Sequence, residues 1–178
     1  ERTRSGGESL AEGVMTVFDG ASLATAVLLR GSEGFGPGHH LRTSAQLSLS
    51  EDLPMVAIAL DSGERIRAVS QRVRPLFEEG LVTVEWVQAG SSATSGNLAE
   101  PAGAWPPGAG ASRVTVWTAR HDRIEGVPAH VSLVDTFRQK GLSAAIALPG
   151  VDGLADGVRR RAGFFSANRS VPMLVIGV

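Results

Sequence analysis

Two glycine-ended apolar stretches decide the fold of this chain, because they are nearly one stretch written twice. Leu23-Ala24-Thr25-Ala26-Val27-Leu28-Leu29-Arg30-Gly31 is followed by Gly34, and Leu142-Ser143-Ala144-Ala145-Ile146-Ala147-Leu148-Pro149-Gly150 is followed by Gly153. A short apolar run that ends at glycine predicts a buried β-strand entering a turn. Gly150 lies 119 residues after Gly31, and similarity at a fixed spacing indicates a duplicated structural unit.

The same spacing relates other residues on both sides of these runs. It pairs Arg4 with Arg123, Gly7 with Gly126, Phe18 with Phe137 and Arg42 with Arg161. After deletion of one residue, Leu53-Pro54-Met55-Val56 matches Val171-Pro172-Met173-Leu174. Several pairings in one register predict a tandem duplication.

The region between the two repeats has a different composition. Residues 89–112 are rich in Gly, Ala, Ser and Pro, so they have little apolar surface to offset the entropy of ordering. We therefore predict a first unit over 1–88, a flexible linker over 89–112 and a second unit over 113–178. The repeat register predicts that the first unit lacks its opening strand and that the second lacks its last helix and strand.

Apolar periodicity predicts the elements of each unit. In the first repeat it predicts helices over Glu8–Phe18 and Ser62–Glu79 and strands over Leu23–Arg30, Leu53–Leu60 and Leu81–Val87. In the second repeat it predicts strands over Arg113–Ala119, Leu142–Leu148 and Val171–Val178 and a helix over Pro128–Lys140. Merging the repeats predicts an α+β sandwich of two ferredoxin-like β-α-β-β-α-β units, each incomplete.

Composition excludes several classes of function. The formal net charge of -1 and the 5% aromatic content argue against a nucleic-acid-binding protein, which needs basic and stacking side chains. The absence of cysteine excludes disulfides, thiolate metal sites and a cysteine nucleophile, and fits a cytoplasmic location. No apolar run reaches the roughly 18 residues of a membrane span.

Short motifs in order resemble a known family. They are Leu28-Leu29-Arg30-Gly31-Ser32-Glu33-Gly34-Phe35-Gly36, then Leu41-Arg42-Thr43, then Leu49-Ser50-Glu51-Asp52-Leu53-Pro54. The second repeat resembles the same pattern more loosely. The chain thus resembles the PII-like family catalogued as domain of unknown function 190, over nearly all of both units and outside the linker.

The resemblance implies properties that the residues alone do not give. It implies a fold related to PII signalling proteins, trimerisation through sheet edges, and small ligands, often nucleotides, bound in clefts between subunits. It also implies a signalling loop between the second and third strands, and a membrane transporter or channel as a regulated partner, since family members are often encoded near fluoride exporters. Glu79-Gly80-Leu81 departs from the Gly-Asp-Gly-Lys turn of PII proteins, which weakens the expectation of ATP binding of that kind.

The segment Gly34-Phe35-Gly36-Pro37-Gly38-His39-His40-Leu41-Arg42 is the first candidate ligand site. Gly34 and Gly36 allow backbone N–H groups to face an anion, and His39, His40 and Arg42 add donors and charge. A connecting loop whose glycines only permit the turn is the other interpretation. Two adjacent histidines without a third ligand make a metal site the weakest of the three, so no metal is predicted.

Arg159-Arg160-Arg161 lies in the matching segment of the second repeat. Three adjacent arginines favour phosphate or carboxylate groups. Such a ligand, a solvated edge, and ion pairs with carboxylates such as Glu51 and Asp52 are the open interpretations.

Other polar groups are interpreted as structural. Ser50-Glu51-Asp52 is predicted as a turn, Asp61-Ser62-Gly63-Glu64 as a helix cap and His121-Asp122 as a polar loop, with His130 exposed on its helix. Without a nucleophile–base pair or a cofactor loop, we predict no enzyme, no catalytic residues and no cofactor. The leading hypothesis is a regulatory oligomer that senses a small anionic metabolite or nucleotide, and the alternative is a non-catalytic assembly module.

Overall fold

The structure is a computed structural model that describes residues 9–35, 41–43, 53–77, 80–87, 89, 113–163, 168 and 170–178. The elements of the first repeat are α1 (Leu10–Gly20), β1 (Thr25–Arg30), β2 (Glu33–Phe35), β3 (Leu41–Thr43), β4 (Met55–Leu60) and α2 (Gly63–Val73). Those of the second repeat are β5 (Val114–Ala119), β6 (Arg123–Ile124), β7 (Val127–Pro128), α3 (Ala129–Gln139), β8 (Ala145–Pro149), β9 (Asp152–Ala155), β10 (Val158–Arg159) and β11 (Pro172–Gly177).

Two antiparallel sheets carry the fold, in the strand orders β10-β9-β1-β4 and β5-β11-β8. β2-β3 and β6-β7 form separate two-stranded ribbons. This mixed architecture confirms the predicted α+β class. In the second sheet β11 lies between β5 and β8, which α3 connects, so this part is a split β-α-β arrangement. Within the described residues neither repeat forms a complete β-α-β-β-α-β unit.

The helices α1 and α3 show the duplication directly. Both have 11 residues and both end in the same pattern of backbone hydrogen bonds. The N–H of Leu23 donates to the carbonyl of Phe18 at 3.4 Å, and the N–H of Leu142 donates to Phe137 at 3.1 Å. The residue after each C-cap has a left-handed backbone, which Gly141 adopts more easily than its counterpart Ser22 (φ 79° and 50°).

Each repeat also has the same contact between glycine and proline. Gly31 N–H donates to the Pro54 carbonyl at 2.8 Å, and Gly150 N–H donates to the Pro172 carbonyl at 3.1 Å. A Cβ on Gly34 would lie 2.9 Å from Cγ of Pro54, and one on Gly153 would lie 2.8 Å from Cγ of Pro172. Glycine fits at these positions because the proline ring occupies the space that a side chain would otherwise take.

The main core lies between sheet β10-β9-β1-β4 and the helices α1 and α2. Apolar side chains from both helices meet Ala26 and Leu28 of β1 there. Leu154 of β9, which belongs to the second repeat, is also in this core and is 0% exposed. Burying such a side chain contributes about 1.5–3 kcal/mol, so the first repeat is partly stabilised by the second.

The strand predicted over Leu81–Val87 was wrong. These residues have no strand pairing in the structure and are exposed, with Leu81 and Trp86 the most exposed of them. Alternating apolar residues favour an extended backbone, but a strand also needs a neighbour for its N–H and C=O groups. Within the described residues, this segment has no such neighbour.

Helix α2 ends earlier than predicted. It stops at Val73 instead of continuing to Glu79, and a 3-10 turn over Arg74–Leu76 follows. Pro75 lies in that turn and has no N–H for the helical ladder, so the helix cannot extend through it. The N-terminal cap of α1 is as predicted, because the hydroxyl of Ser9 accepts from the N–H of Glu12 at 3.1 Å.

Candidate functional site

The candidate site residues that the structure describes lie in, or directly after, two β-hairpins that occupy the same place in the two repeats. The first hairpin is β2–β3 and the second hairpin is β9–β10. Gly34 pairs with Arg42 in the first, and the N–H of Arg160 donates to the carbonyl of Gly153 at 2.8 Å in the second. The segments predicted as loops therefore contain paired strands. The one-residue deletion falls at the hairpin tip, so Arg42 corresponds to Arg160 and not to Arg161.

The second hairpin turns through Asp156 and Gly157. Both have a left-handed backbone, with φ of 50° and 73°, as a two-residue type I′ turn requires. The hairpin extends away from its own repeat, and β9 pairs antiparallel with β1 of the first repeat, with Val27 opposite Gly153 and Ala26 opposite Leu154. It thereby adds strands to the sheet of the first repeat.

A cluster of four charged residues holds this hairpin in place. Asp152 has a side chain only 4% exposed, and its carboxylate accepts from Nη2 of Arg159 at 2.7 Å and from Nε at 3.2 Å. Nη2 of Arg159 also donates to Glu12 of α1 at 3.0 Å. Arg161 pairs with both Glu12 and Asp152. We call these four residues the clamp, because they join the second hairpin to the first repeat.

The clamp is balanced in charge, with two carboxylates and two guanidinium groups. Forked contacts between arginine and carboxylate are among the stronger hydrogen-bonded pairs in proteins. Burying an ion pair adds little net stability, but removing one partner leaves an uncompensated charge and costs about 3–5 kcal/mol. The clamp therefore makes the position of the second hairpin specific.

This geometry separates the three adjacent arginines of the predicted site into two that belong to the clamp and one that does not. Arg159 and Arg161 pair with carboxylates, as one of the sequence interpretations anticipated, although the partners are Glu12 and Asp152. The suggested partners Glu51 and Asp52 lie outside the described residues. Arg160 is exposed and lies outside the clamp. It is the one of the three arginines outside the clamp, whereas Arg161 is 58% exposed but pairs with Glu12 and Asp152.

The first hairpin contributes fewer described residues. Gly34 and Arg42 are cross-strand partners, so the structure brings together two of the predicted site residues. Gly36, His39 and His40 lie outside the described residues, and so does the metal interpretation that used the two histidines. Among the described residues, no group of three His, Asp or Glu side chains is arranged to hold a metal ion.

Two aspartates outside the hairpins hold backbone turns. Asp61 accepts from the N–H groups of Ala24 at 2.8 Å and Ser62 at 2.6 Å. Burial raises the pKa of Asp61, but these bonds and the nearby Arg65 outweigh it and hold the pKa below its ordinary value. Asp61 therefore links the start of β1 to the start of α2, a structural role that includes the predicted cap.

Asp122 does the same in the second repeat. It accepts from the N–H of Ala119 at 2.7 Å and from the hydroxyl of Thr118 at 2.8 Å. Burial raises the pKa of Asp122, yet these bonds and His121 lower it overall. His121 and Asp122 lie in a turn directly after β5, as predicted, and the short hairpin β6–β7 follows them.

His130 is half-buried rather than exposed, with Nδ1 buried and without a hydrogen-bond partner among the described residues. It lies in the first turn of α3, directly after the buried residue Ala129, so the exposure predicted for it was wrong.

One signal in the sequence points to the clamp. Glu33-Gly34 and Asp152-Gly153 place an acidic residue before the same glycine in both repeats, and this repetition marked the position. Glu12 left no such signal, because its counterpart is Val131. Only the pairing of β9 with β1 brings Glu12 to the arginines.

Comparison with known families agrees with the duplicated architecture. The model of the DUF190 family, described as "Uncharacterized ACR", matches residues 1–89 and 111–178. The match covers most of the chain in two segments, so the chain belongs to this family as a tandem-repeat member. No solved structure matches the chain. None of the helices in the described part of the chain is both long enough and apolar enough to cross a bilayer.

Proposed function

We propose that this chain is a PII-like regulatory protein that senses a small anionic ligand, possessing one arginine for that purpose on each hairpin. The observation that supports the proposal is the repeated pair of glycine and arginine. Arg42 lies opposite Gly34 and Arg160 lies opposite Gly153 at the same register position. An arginine repeated at this position offers a planar set of N–H donors that suits phosphate and carboxylate groups.

Because of the clamp, fewer arginines are candidates for ligand binding than the sequence alone indicated. Arg159 and Arg161 neutralise Glu12 and Asp152, so they have a structural role and supply little charge to a ligand. Arg42 and Arg160 remain as the ligand-binding arginines. The first hairpin lies between β1 and β4 along the chain and the second lies between β8 and β11. A ligand bound at the hairpins would alter the surface offered to a regulated partner, such as a membrane transporter or channel.

Isothermal titration calorimetry on the full chain tests this function. The ligands are ATP, ADP, a cyclic dinucleotide, phosphate and sulfate, each titrated into the unmodified chain and into the double variant Arg42→Ala with Arg160→Ala. A hydrogen bond to a charged group contributes about 1.5–3 kcal/mol, so we expect the double variant to bind at least about tenfold more weakly. Arg138→Ala is the control, because Arg138 is exposed and pairs only with Asp135 in its own helix.

Two results would contradict the proposal. One is the absence of measurable binding of any of these anions to the unmodified chain. The other is binding that the double variant and the Arg138→Ala control retain equally, since the hairpin arginines would then play no part.

A non-catalytic assembly module is the second candidate function. It is favoured by a separate observation, the addition of the second hairpin to β1 of the first repeat. Strand addition of this kind is a common way for proteins to recognise an extended partner. An assembly whose size ignored every anion listed above would favour this candidate over the sensor.

A further inference from the structure

The segment Leu81–Val87, which we call the strap, exposes a series of apolar side chains. Leu81 is 86% exposed and Trp86 is 84% exposed, and more than half of Val84 and of Val87 is exposed as well. Contiguous apolar surface of this kind marks a site of contact. Apolar and polar residues alternate along the strap, as they do in a β-strand with one buried face. The strap therefore has the pattern of a strand, although it has no strand partner among the described residues.

Strand β5 provides an edge of the kind that the strap lacks. In the order β5-β11-β8 it lies at the end of its sheet, and it pairs with β11 alone among the described residues. An edge strand presents unpaired N–H and C=O groups that can bond to a further strand. Val114 of β5 is 40% exposed, so an open apolar side chain accompanies the open backbone edge.

Two contacts position the strap between α2 and β5. The carboxylate of Glu85 lies 3.5 Å from Nη2 of Arg113, the residue directly before β5. The ring of Trp86 lies at the start of α2, where a Cβ on Gly63 would be 2.8 Å from its Cη2 atom. The strap is thus already in contact with the chain at one end of β5, without pairing with that strand.

We propose that the strap closes onto the open edge of β5 in the same chain, as an antiparallel strand. Residues 88–112 connect the two segments, which is far more than the two-residue turn that an antiparallel pair needs. The contact between Glu85 and Arg113 sets the register. The other cross-strand pairs are then Val84 with Val114, Thr83 with Thr115, Val82 with Val116 and Leu81 with Trp117.

The chemistry of the two strands matches at every position of this register. Opposite charges, two threonines, two pairs of valines and a leucine with a tryptophan all face each other, and such pairs stabilise neighbouring strands. A slip by one residue would place Val84 opposite Thr115 or Arg113 and would turn the valines to the other face of the sheet. The residues of both strands therefore specify the register, and they identify the strap as the occupant of this edge.

The same register places the valines of the strap on the helix side of the sheet. Val114 lies opposite Gly177 of β11, and a Cβ on Gly177 would lie 2.7 Å from Cδ2 of Phe137 in α3. Residues directly opposite each other share a face of the sheet, so Val114 faces α3 and Val84 joins it when the strap closes. Closure thus extends the apolar layer beneath α3 and removes exposed apolar surface from water, which is favourable.

Closure of the strap makes the exchange between the repeats reciprocal. The second repeat adds its hairpin to β1 of the first, and the first repeat adds the strap to β5 of the second. The position of the strap also decides whether the edge of β5 is covered or open to another strand. This device goes beyond anion sensing and uses neither Arg42 nor Arg160, so failure of the anion titration and failure of strap closure are separate results.

Disulfide trapping in the full chain tests the proposal, because the chain has no cysteine of its own. Thr83→Cys with Thr115→Cys places two thiols directly opposite each other in the closed strap. Opposite residues of antiparallel strands have Cα atoms about 4.5–5.5 Å apart, which a disulfide can bridge. Both threonines are exposed in the structure, so the substitutions should leave the fold intact, and circular dichroism checks this.

The expected result is a disulfide within one chain. With oxidised glutathione, it should form at least about tenfold faster than in the control Thr83→Cys with Ile124→Cys, whose sites are not opposed in the closed strap. Ile124 suits the control because it is an exposed residue of the same repeat, 44% accessible, that lies on β6. Non-reducing gels separate linked dimers from linked monomers, and peptide mass spectrometry identifies the bond.

Two further variants test the register. Leu81→Cys with Thr115→Cys shifts the pair by two residues on one face, so its disulfide should form more slowly than that of Thr83→Cys with Thr115→Cys. Glu85→Arg, added to the trapping pair, places like charges opposite each other and should slow trapping roughly twofold to fivefold. Adding Arg113→Glu as well restores opposite charges, so the rate should recover.

Several outcomes would overturn the proposal. One is trapping in Thr83→Cys with Thr115→Cys that is no faster than in the Ile124→Cys control. Another is a disulfide that joins two chains, since the strap would then pair between copies. Equal rates in the shifted pair, or a rate that Glu85→Arg leaves unchanged or Arg113→Glu fails to restore, would show that the register is wrong.

Discussion

Strands β1 and β8 show what duplication does to one piece of structure. Each follows an 11-residue helix and each ends at a glycine bonded to a proline carbonyl. Their sequences are similar, yet β1 has the burial pattern of a core strand and β8 has that of an edge strand. The difference comes from the second hairpin, which pairs with β1, whereas β8 pairs with β11 alone among the described residues.

The comparison shows that the two repeats have different roles. The second repeat donates a β-hairpin, and the first repeat accepts it at the edge of its sheet. The first repeat receives Leu154 into its core and Arg159 at its helix. The second repeat provides both and receives nothing in return from the described part of the first hairpin. Substitutions at different points of this contact should disrupt it to different extents. Each is therefore expected to lower the free energy of unfolding by a different amount.

The largest effect is expected from breaking the clamp. Asp152→Ala removes the buried carboxylate that Arg159 and Arg161 share, so two guanidinium groups lose a partner. The free energy of unfolding should fall by about 3–5 kcal/mol, measured by urea denaturation. Asp135→Ala is the control, since its pair with Arg138 is exposed and such pairs contribute about 0–1 kcal/mol. Equal losses in the two variants would mean that the clamp is not stabilising.

A smaller effect is expected from separating β9 from β1. In Gly153→Ala the new Cβ would lie 2.5 Å from the carbonyl oxygen of Ala26, so the backbones must move apart, at about 1–3 kcal/mol. Gly34→Ala is the matched change in the first repeat. There the Cβ would meet Cγ of Pro54 at 2.9 Å, and a ring atom can give way more easily than a backbone.

The comparison of these two glycine variants tests whether the first repeat depends on the second hairpin for stability. Urea denaturation should show Gly153→Ala as the less stable of the two. If Gly34→Ala were the more destabilising, the contact of β9 with β1 would be looser than its geometry indicates, and the first repeat would not depend on the second hairpin.

The smallest effect concerns pH and the aspartates that hold one turn in each repeat. The pKa of Asp61 is lowered in the folded chain, whereas the unfolded value is about 3.9. Its stabilisation is therefore complete above the unfolded pKa and is lost as the pH falls through the folded pKa. Asp61→Asn should lower stability at neutral pH and reduce the loss between neutral and acidic pH.

Asp122→Asn should act in the same direction in the second repeat, because the pKa of Asp122 is also lowered. The change should be smaller than for Asp61→Asn, since the side chain of Asp122 is 44% exposed and that of Asp61 is 11% exposed. Denaturation curves recorded over a pH series measure both. An acid slope that neither substitution altered would contradict a role for these carboxylates in acid stability.

Much of the local structure could be predicted from the residues. Repeated Phe18 and Phe137 predicted equivalent helices, and the glycines after β1 and β8 predicted equivalent turns. Leu81–Val87 shows the limit, because alternation gave a backbone preference without a partner strand. For the candidate site, Gly34 and Arg42 were predicted and do meet, whereas Glu12 was not predicted because it lies 147 residues from Arg159.

The amino-acid sequence by itself determined that this chain is duplicated, because spacing, glycine positions and apolar periods are local properties that repeat along the chain. It also determined the α+β class and the two arginine-bearing segments, which it placed between strands of each repeat. Only the tertiary structure decided where the second hairpin goes, which arginines it neutralises and which strand stays open. Those features depend on backbone pairing between residues more than 100 positions apart, such as Val27 with Gly153. No local pattern encodes the choice between a strand's own repeat and its neighbour, because either edge offers the same N–H and C=O groups.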